Sequence, residues 1–338
     1  MMIDLRSDTF TKPSAEMLQY MLDAKVGDDV FGEDPSVNEL QKQCAFIFGM
    51  EAALYCPTGT MTNQIAIKCH TQPGDEVICE KMSHVYIYEG GGIAFNSGCQ
   101  VKAIEGVRGM ITAKDVSQNI NPYDVHKANT SLVCLENTTN RGGGACYDFE
   151  EIVKIKEVCT NNNLKLHLDG ARLFNALVAK NDSPSKYGEV FDSISICFSK
   201  GLGTPIGSVL TGNTEFINKA KRIRKVLGGG MRQAGYMAAA GIYALHNNVH
   251  RLKEDHKNAK RIAEALLEKD IIGKMMPVET NIIIFEVLGE NAPVHFCEKM
   301  KENDILCLPI SNTQVRMVTH LDITNEMVDK LITLINDL

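Results

Sequence analysis

The feature that most constrains the fold of this chain is the segment 165–201, in which two apolar stretches each lead to one charged side chain. From Lys165 to Asp169 apolar and polar residues alternate, and this period of two predicts a β-strand. The same alternation from Ile194 to Phe198 predicts a second strand, which delivers Lys200 just beyond its end. Because an isolated charge is costly to bury, the carboxylate and the ammonium group at these strand ends both require a partner.

Two arrangements would satisfy both charges. In the first, Lys200 and Asp169 form a buried ion pair between adjacent strands. In the second, both contact one pyridoxal phosphate ring, since the aldehyde of this cofactor condenses with a lysine amine and its protonated ring nitrogen pairs with a carboxylate. These two residues do not decide between the arrangements, so the other motifs of the chain have to.

The order of the predicted elements indicates an α/β fold. Strands and helices alternate over about the first 245 residues, which is typical of a mainly parallel sheet covered by helices. The remainder instead predicts a compact α+β unit attached through a long helix. We therefore expect an N-terminal segment and large domain (residues 1–247) and a small C-terminal domain (residues 248–338). Ligands of parallel sheets bind at the carboxyl ends of strands, where Asp169 and Lys200 fall.

A strand, a turn and a helix over residues 52–70 form a candidate phosphate site. Helix N-termini expose unpaired amides and carry a partial positive charge, so they bind phosphate groups. Gly59 would allow close approach of the backbone, and Thr58 and Thr60 offer hydroxyl groups. An ordinary helix cap is the alternative, and no Gly-Lys-Ser/Thr follows as in a Walker loop.

Two further predicted helices begin near His84 and near Ser36. His84 precedes a short segment that ends in three glycines, and an imidazole there could stack on a planar cofactor, although a lone histidine is more often a cap or a core residue. Ser36 is expected to cap a helix that runs through Phe48, with Glu39 three residues on completing a capping box.

Composition and charge exclude several classes of function. A formal net charge of −7 argues against a nucleic-acid surface, and no apolar run is long enough to span a membrane. The charged start of the chain lacks the apolar core of a signal peptide, so we expect a cytoplasmic protein. The eleven cysteines are scattered without a Cys-x-x-Cys or zinc-type spacing, which predicts reduced core thiols and no metal site.

Several sequence blocks follow one another in a specific order. They are Asp4-Leu-Arg-Ser-Asp-Thr9, Val26-Gly-Asp-Asp-Val-Phe-Gly-Glu-Asp-Pro35, Pro57-Thr-Gly-Thr-Met61, His84 ahead of Tyr88-Glu-Gly-Gly91, Glu136-Asn-Thr138, His167-Leu-Asp-Gly-Ala-Arg-Leu173, Phe198-Ser-Lys-Gly-Leu202 and Leu227-Gly-Gly-Gly-Met-Arg-Gln-Ala-Gly235. Over nearly its whole length the chain thereby resembles the threonine aldolases, which are pyridoxal phosphate enzymes of the aspartate aminotransferase fold (fold type I). This resemblance implies a mostly parallel seven-stranded sheet covered by helices.

The resemblance also implies a set of cofactor contacts. Lys200 would bind pyridoxal 5′-phosphate covalently, Asp169 would pair with the pyridine nitrogen, and His84 would stack on the ring. The residues expected to contact the cofactor are Lys200, Asp169, His84, Gly59, Thr60, Arg172 and Arg232.

For the substrate, the resemblance implies an amino acid whose carboxylate is held by Ser7, Arg172 and Arg316. Lys225 and Arg232 would reach the site from a neighbouring subunit. We therefore expect a homo-oligomer with shared active sites, most simply a homotetramer built from two dimers.

The implied reaction is cleavage of L-threonine or L-allo-threonine to glycine and acetaldehyde. The catalytic residues are expected to be Lys200, His84, His126 and Asp169. His84, His126 or a bound water could remove the proton of the β-hydroxyl group, and the sequence does not rank them. Aminotransfer or β-elimination on the same scaffold is the alternative, because it needs the same lysine and aspartate but breaks a different bond.

Overall fold

The computed structural model describes residues 2–337. In chain order its strands are β1 (Ile3–Asp4), β2 (Ala52–Cys56), β3 (Asp75–Glu80), β4 (Gln100–Ile104), β5 (Asn129–Glu136), β6 (Lys165–Gly170), β7 (Ser193–Cys197), β8 (Ser208–Gly212), β9 (Ile272–Met275), β10 (Ile282–Val287), β11 (Ile305–Leu306), β12 (Leu308–Pro309) and β13 (Gln314–Val318).

The centre of the molecule is a seven-stranded sheet in the order β2-β8-β7-β6-β5-β3-β4. The pairs from β7 through β6, β5 and β3 to β4 are parallel, whereas β8 runs antiparallel to both β2 and β7. The expectation of a mostly parallel seven-stranded sheet is therefore confirmed. Because β5, β6 and β7 are parallel neighbours, their carboxyl ends bring Glu136, Asp169 and the residues just before Lys200 to one edge.

Helices cover both faces of this sheet. In chain order the helices are α1 (Ala15–Leu22), α2 (Pro35–Phe48), α3 (Gly59–His70), α4 (His84–Ile87), α5 (Ala113–Asn119), α6 (Phe149–Asn161), α7 (Leu173–Lys180), α8 (Pro184–Val190), α9 (Thr214–Val226), α10 (Gly235–Asn247), α11 (Leu252–Leu267), α12 (Ala292–Glu302) and α13 (Asn325–Asn336). Within residues 2–337, none of these helices combines the length and the apolar character that crossing a membrane requires.

The alternation within β6 assigns its side chains to two different environments. Leu166 and Leu168 are fully buried in the largest hydrophobic cluster, which also contains residues of α2, α6 and α7. His167 and Asp169 lie on the opposite face, where both contact Asn63 of α3. The period of two thus puts the apolar side chains into the core and the polar ones under α3, because successive strand residues point to opposite faces.

The C-terminal unit has its own four-stranded sheet, in the order β12-β13-β10-β9, and its own hydrophobic cluster. The first strand, β1, pairs in parallel with β11, and Ile3 and Leu5 are buried in the C-terminal cluster. The start of the chain therefore joins the C-terminal unit by its pairing. We keep the division near residue 247 as a proposal, with this segment as its exception.

One local prediction needs correction. Helix α2 begins two residues earlier than expected, because Asp34 rather than Ser36 is its N-cap and accepts from the amides of Ser36 and Val37 at 3.1 and 3.0 Å. Pro35 takes the first helical position, which suits its fixed φ and missing N–H group. In the C-terminal unit, Cys307 separates β11 from β12, which pair with different sheets.

Candidate active site

Asp169 is the buried carboxylate at the centre of the candidate site, with 2% of its surface exposed. Asn63 donates from Nδ2 to Asp169 Oδ2 at 2.9 Å, and the amide of Ala171 donates to Oδ1 at 3.1 Å. Among residues 2–337, no ion pair joins Asp169 to Lys200, so the simple ion-pair arrangement is not formed. The carboxylate is instead held by neutral donors.

Glu89 is a second buried carboxylate beside Asp169. It accepts hydrogen bonds from Asn63 Nδ2 at 2.9 Å, Gln64 Nε2 at 2.6 Å and His84 Nδ1 at 3.0 Å. One nitrogen and two carboxylate oxygens of His84, Glu89 and Asp169 lie within 4.8 Å of one another, a spacing that could hold a metal ion. Because protein N–H groups already donate to all four carboxylate oxygens, the arrangement favours a hydrogen-bonded network over a metal centre.

This network sets the protonation of His84. Burial alone would lower the pKa of its imidazole, but the hydrogen bond to Glu89 and the nearby negative charges outweigh burial, so the pKa is raised. The charge of Lys200 opposes this rise. Since Nδ1 donates to Glu89, Nε2 is the ring nitrogen that remains free to accept a proton.

Glu136 connects the histidine to a neighbouring loop. Its two oxygens accept from the backbone amides of His84 and Asn140, each at 2.7 Å. Burial and the proximity of Asp169 raise the pKa of Glu136, while the two amides act in the opposite direction. One carboxylate thus fixes both the start of α4 and the loop that carries Asn140.

Behind Asp169 runs a chain of hydrogen bonds whose direction the structure determines. Asn63 donates to carboxylates from Nδ2, so its Oδ1 must accept from His167 Nε2 at 3.2 Å. Burial lowers the pKa of His167 to about 4, so its ring is neutral and Nδ1 accepts from Ser193 Oγ at 2.8 Å. The Ser193 oxygen then accepts from His70 Nε2 at 2.8 Å. Every donor in this chain points toward Asp169, so the chain ends in the N–H group that Asn63 donates to this carboxylate.

Arg172 and Asp8 form a buried, bidentate ion pair. Arg172 Nε and Nη2 donate to the two oxygens of Asp8 at 2.7 and 2.6 Å. Burial by itself would raise the pKa of Asp8, but Arg172, with smaller contributions from Lys200 and Arg316, holds the pKa well below its usual range. Ser7 directly precedes Asp8 and is half-buried, so the ion pair also fixes the backbone beside Ser7.

Arg316 differs from Arg172 because it has no counter-ion among the described residues. Its Nη2 donates to Asn140 Oδ1 at 3.0 Å, and Arg172 Nη1 donates to the same oxygen at 3.3 Å. Its Nε is buried without a hydrogen-bond partner in residues 2–337. Burial and the charge of Arg172 lower the pKa of Arg316 to about 10. An unpaired cation in this position is a binding site for an anion.

Lys200 lies between these groups in a turn after β7, where it is half-buried. Its charge lowers the pKa of Asp8 and opposes the rise in the pKa of His84. Lys200 therefore lies close both to the ion pair of Arg172 with Asp8 and to His84. Within residues 2–337 its Nζ forms no hydrogen bond or ion pair, which leaves the amine available for a covalent bond.

The expected phosphate site is the N-terminus of α3. Thr58 is the N-cap, and its hydroxyl accepts from the amide of Met61 at 3.1 Å. The amides of Gly59 and Thr60 have no acceptor among residues 2–337, as is usual for the first turn of a helix. A Cβ at Gly59 would make only an ordinary contact, 3.7 Å from Cys197 Sγ, so backbone freedom is not what this glycine supplies.

Three of the expected site residues lie apart from this cluster. His126 is exposed in the loop after α5 and donates to Asp124 Oδ1 at 2.9 Å. Arg232 is exposed and donates to Asp28 Oδ2 at 2.8 Å, and Lys225 is exposed near the end of α9. In the described part of the chain, no hydrogen bond or ion pair connects these three side chains to the cluster around Asp169.

Several residues of the cluster were not assigned a role from the sequence. They are Asp8, Asn63, Glu89, Glu136, Asn140 and His167. A partial signal existed for some of them, because Asp8, Glu89 and Glu136 stand inside the sequence blocks that carry the family resemblance. Asn63 and Asn140 have no such signal, since an asparagine in a helix or a glycine-rich loop is most often structural.

The donor set fits pyridoxal phosphate. Asp169 would pair with a protonated ring nitrogen, Lys200 has an unoccupied amine, and the first amides of α3 are free for a phosphate group. The buried, unpartnered Nε of Arg316 fits the carboxylate of an amino acid bound beside the cofactor.

Comparisons with known proteins agree with this fit. The model of the beta-eliminating lyase family matches residues 4–289. A low specificity L-threonine aldolase of Escherichia coli (strain K12) is 46% identical over 328 residues, which cover 96% of each chain. Low-specificity L-threonine aldolase 1 of Arabidopsis thaliana is 40% identical over 331 residues, covering 95% of this chain and 92% of the plant protein.

Solved structures share the fold. A Leishmania major threonine aldolase superposes with a TM-score of 0.86 and 19% identity, covering 99% of both chains. A Sphingomonas wittichii serine palmitoyltransferase superposes with a TM-score of 0.77 and 15% identity, covering 99% of this chain and 86% of its own. These likenesses extend over both units of the chain.

Proposed function

This chain belongs to the beta-eliminating lyase family, in its low-specificity L-threonine aldolase group, and on that premise we propose that it cleaves L-threonine and L-allo-threonine to glycine and acetaldehyde. It is an enzyme of the aldehyde-lyase class that uses pyridoxal 5′-phosphate. The observation that carries the proposal is the combination of an arginine of the C-terminal sheet with a buried, unpartnered Nε, and a free lysine amine and a buried carboxylate at one edge of the large sheet.

When bound, pyridoxal phosphate holds the amino group of the substrate and accepts the electron pair that is released as the Cα–Cβ bond breaks. Lys200 would attach the cofactor, and Asp169, which Asn63 and the groups behind it hold in place, would pair with the protonated ring nitrogen. Gly59 and Thr60 bind the phosphate through the first turn of α3.

Arg316 and Arg172 hold the carboxylate of the substrate. Arg316 supplies the uncompensated charge, while Asp8 fixes the plane of Arg172. Because the carboxylate and the amino group of the substrate are both held, the substrate can rotate about one axis only. This restriction fixes the orientation of the Cα–Cβ bond. Planar guanidinium groups suit this task better than a lysine would, because they bind carboxylates with two parallel hydrogen bonds.

His84 is the best-supported base for the β-hydroxyl proton. Its Nδ1 donates to Glu89, so Nε2 carries the lone pair, and the raised pKa strengthens that nitrogen as a proton acceptor. His126 is solvent-exposed and bonded to Asp124, which favours it less. Glu89 orients the ring of His84 in the same way that the aspartate of a Ser-His-Asp triad orients its histidine.

We propose a homotetramer built from two dimers with shared sites. Lys225, Phe31 and Val226 line or flank a cavity of about 650 Å³ on the surface, and Phe31 and Val226 are 73% and 83% exposed. Large apolar side chains with such exposure support a subunit contact there. Light scattering of the purified holoenzyme tests this, because a monomer mass would contradict it.

We also propose a cytoplasmic location. All eleven cysteines are free thiols in the described structure, as expected in a reducing compartment. Cell fractionation with an antibody against the protein tests this assignment.

The decisive experiment incubates the holoenzyme with L-threonine and, separately, with L-allo-threonine. Glycine and acetaldehyde in equal amounts support the aldolase. A keto acid with loss of the cofactor aldehyde would indicate aminotransfer, and ammonia release would indicate elimination. Lys200→Ala is the matched control: it should lose both glycine formation and the covalently bound cofactor, as judged by mass spectrometry after borohydride reduction.

A further inference from the structure

Two cysteines of the C-terminal unit lie in direct contact. Cys307 Sγ donates to Cys297 Sγ across 3.4 Å, joining α12 to the link between β11 and β12. Among residues 2–337, it is the one hydrogen bond that joins two thiol groups. A disulfide bond is about 2.05 Å long, so forming one would bring the two sulfur atoms roughly 1.4 Å closer together.

The contact lies at a small opening in the surface. A cavity of about 160 Å³ is lined by both cysteines together with Lys301 and Pro309. Cys297 is only half-buried, whereas Cys307 is 7% exposed. A small oxidant can therefore reach Cys297 first, with Cys307 directly behind it.

The environments of the other thiols make this pair selective. Burial raises the pKa of Cys44 and raises that of Cys134 well above its ordinary value, so these thiols resist ionisation. Cys297 behaves differently, because the hydrogen bond from Cys307 lowers its pKa despite burial and the nearby Glu298. Since the thiolate is the reactive form, Cys297 is the best nucleophile that the described cysteines offer.

We propose that Cys297 and Cys307 form a redox-active pair that closes to a reversible disulfide when the protein meets a hydroperoxide. The Cys297 thiolate attacks one peroxide oxygen, breaks the O–O bond and becomes a sulfenic acid, and the departing hydroxide takes a proton to form water. Cys307 then attacks the Cys297 sulfur, the S–S bond forms, and the second hydroxide leaves as water. Two thiols and one hydrogen peroxide thus give one disulfide and two waters.

The position of the pair connects it to the substrate site. Leu306, the residue before Cys307, accepts the amide of Leu5 at 2.8 Å, and this bond anchors the segment that leads to Ser7 and Asp8. Asp8 in turn holds Arg172. Oxidation would thus add a covalent constraint beside the strand pair that positions the start of the chain.

The test uses reduced holoenzyme treated with a small excess of hydrogen peroxide, followed by thiol blocking and peptide mass spectrometry without reduction. We expect a cross-link between the peptides of Cys297 and Cys307, and a loss of two of the eleven titratable thiols that dithiothreitol reverses. Oxidation of other cysteines without this cross-link, or of Cys297 alone to an irreversible acid, would overturn the proposal.

Single substitutions separate the two roles. Cys307→Ser should arrest Cys297 as a sulfenic acid that dimedone labels, whereas Cys297→Ser should leave Cys307 reduced at the same peroxide dose. Cys159→Ser is the matched control, because Cys159 is a buried thiol of α6 outside the pair. This control should still lose two thiols. Equal dimedone labelling in the wild type and in Cys307→Ser would contradict the role of Cys307.

Discussion

Arg172 and Arg316 share one asparagine but differ in charge balance. Asp8 neutralises Arg172 through two hydrogen bonds, whereas Arg316 keeps a buried Nε without a partner in residues 2–337. Asn140 accepts from both guanidinium groups and so sets their separation. A paired and an unpaired arginine side by side can hold one carboxylate without a net excess of buried charge, since the ligand supplies the missing anion.

Substituting Arg316 should therefore weaken the binding of the amino acid more than that of the cofactor. Hydrogen bonds to charged groups contribute about 1.5–3 kcal/mol, so Arg316→Lys should lower kcat/KM for L-threonine about 10- to 100-fold, mainly through KM. Steady-state kinetics over a wide range of threonine concentrations measure this effect, and absorption spectra report cofactor content.

The matched control for this substitution is Arg261→Lys, a half-buried arginine of α11 that pairs with Asp329 and, within residues 2–337, forms no hydrogen bond or ion pair with the residues of the site. It should leave KM unchanged. An unaltered KM in Arg316→Lys, with cofactor fully bound, would remove Arg316 from the carboxylate site.

At the scale of elements, Glu136 joins three parts of the site. It ends β5, and its two oxygens accept the amides of His84 at the start of α4 and of Asn140 in the following loop. Strand β5 therefore positions both α4, which carries His84, and Asn140, which accepts from the two arginines. A glutamine here has only one acceptor oxygen, so it can satisfy only one of these amides.

Glu136→Gln should consequently reduce kcat about tenfold, because one buried amide loses its acceptor at a cost of about 1–3 kcal/mol. The lost hydrogen bond also destabilises the fold, but part of that cost is offset because burial and Asp169 already disfavour the charge that the substitution removes, so the thermal midpoint should fall by roughly a few degrees only. Kinetics and thermal denaturation of the holoenzyme measure the two effects. Glu157→Gln, at an exposed site on α6, is the control, and equal kcat in all three proteins would contradict the role of Glu136.

The elements also show what the sequence could and could not predict. Alternation in β6 and β7 identified the two strands, and parallel pairing was enough to bring Asp169 near Lys200. The start of helix α2 was misplaced by two residues because Asp34 and Ser36 are both good caps and Pro35 favours the earlier start. Pairings distant in the sequence, such as β1 with β11, leave no local pattern, so the contact of Asp8 with Arg172 could not be foreseen.

At the scale of the molecule, the site draws on both units of the chain. Ser7 and Asp8 follow β1, which pairs with the C-terminal unit, and Arg316 belongs to the C-terminal sheet. Asp169 and Lys200 come from the large sheet. In the proposed complex the large unit holds the cofactor, whereas Arg172 of the large unit and Arg316 of the C-terminal unit together hold the substrate carboxylate, so the relative position of the two units governs the orientation of the bond that breaks.

The folded molecule should lose stability in mild acid because it buries neutral histidines. Burial lowers the pKa of His167 and His256 to about 4 and that of His70 to about 3. Between pH 6.5 and about 4, the unfolded chain binds protons at these histidines and the native state does not. The free energy of unfolding therefore falls by about 1.4 kcal/mol per pH unit for each histidine as the pH decreases below 6.5. Asp255, whose pKa burial raises to about 6, acts in the opposite direction, as do His84 and Glu136, whose pKa values are also raised, and we expect the three buried histidines to outweigh these groups.

Urea denaturation of the holoenzyme at pH 7.5 and pH 5 measures this loss, and the midpoint should be lower at pH 5. His256→Gln should reduce the difference without altering cofactor absorption, because His256 bonds to Asn175 outside the chain that leads to Asp169. His167→Gln should reduce it and also change the absorption. Equal midpoints at the two pH values would show that these histidines are not buried as neutral rings.

The proposed sharing of sites between subunits can be tested with two inactive variants. Lys200→Ala removes the amine of a subunit's own site, while Arg232→Ala removes a side chain that we expect to serve the site of its neighbour, since among residues 2–337 its ion pair is with Asp28, outside the cluster around Asp169. In a twofold dimer of one subunit of each kind, one site carries both defects and the other carries neither. Random co-assembly makes half of the dimers mixed, so about a quarter of all sites should be intact.

Co-expressed, co-purified variants should thus recover about a quarter of wild-type threonine cleavage, although each alone is inactive. If Arg232 served its own subunit, every site would carry one defect, and no activity would return.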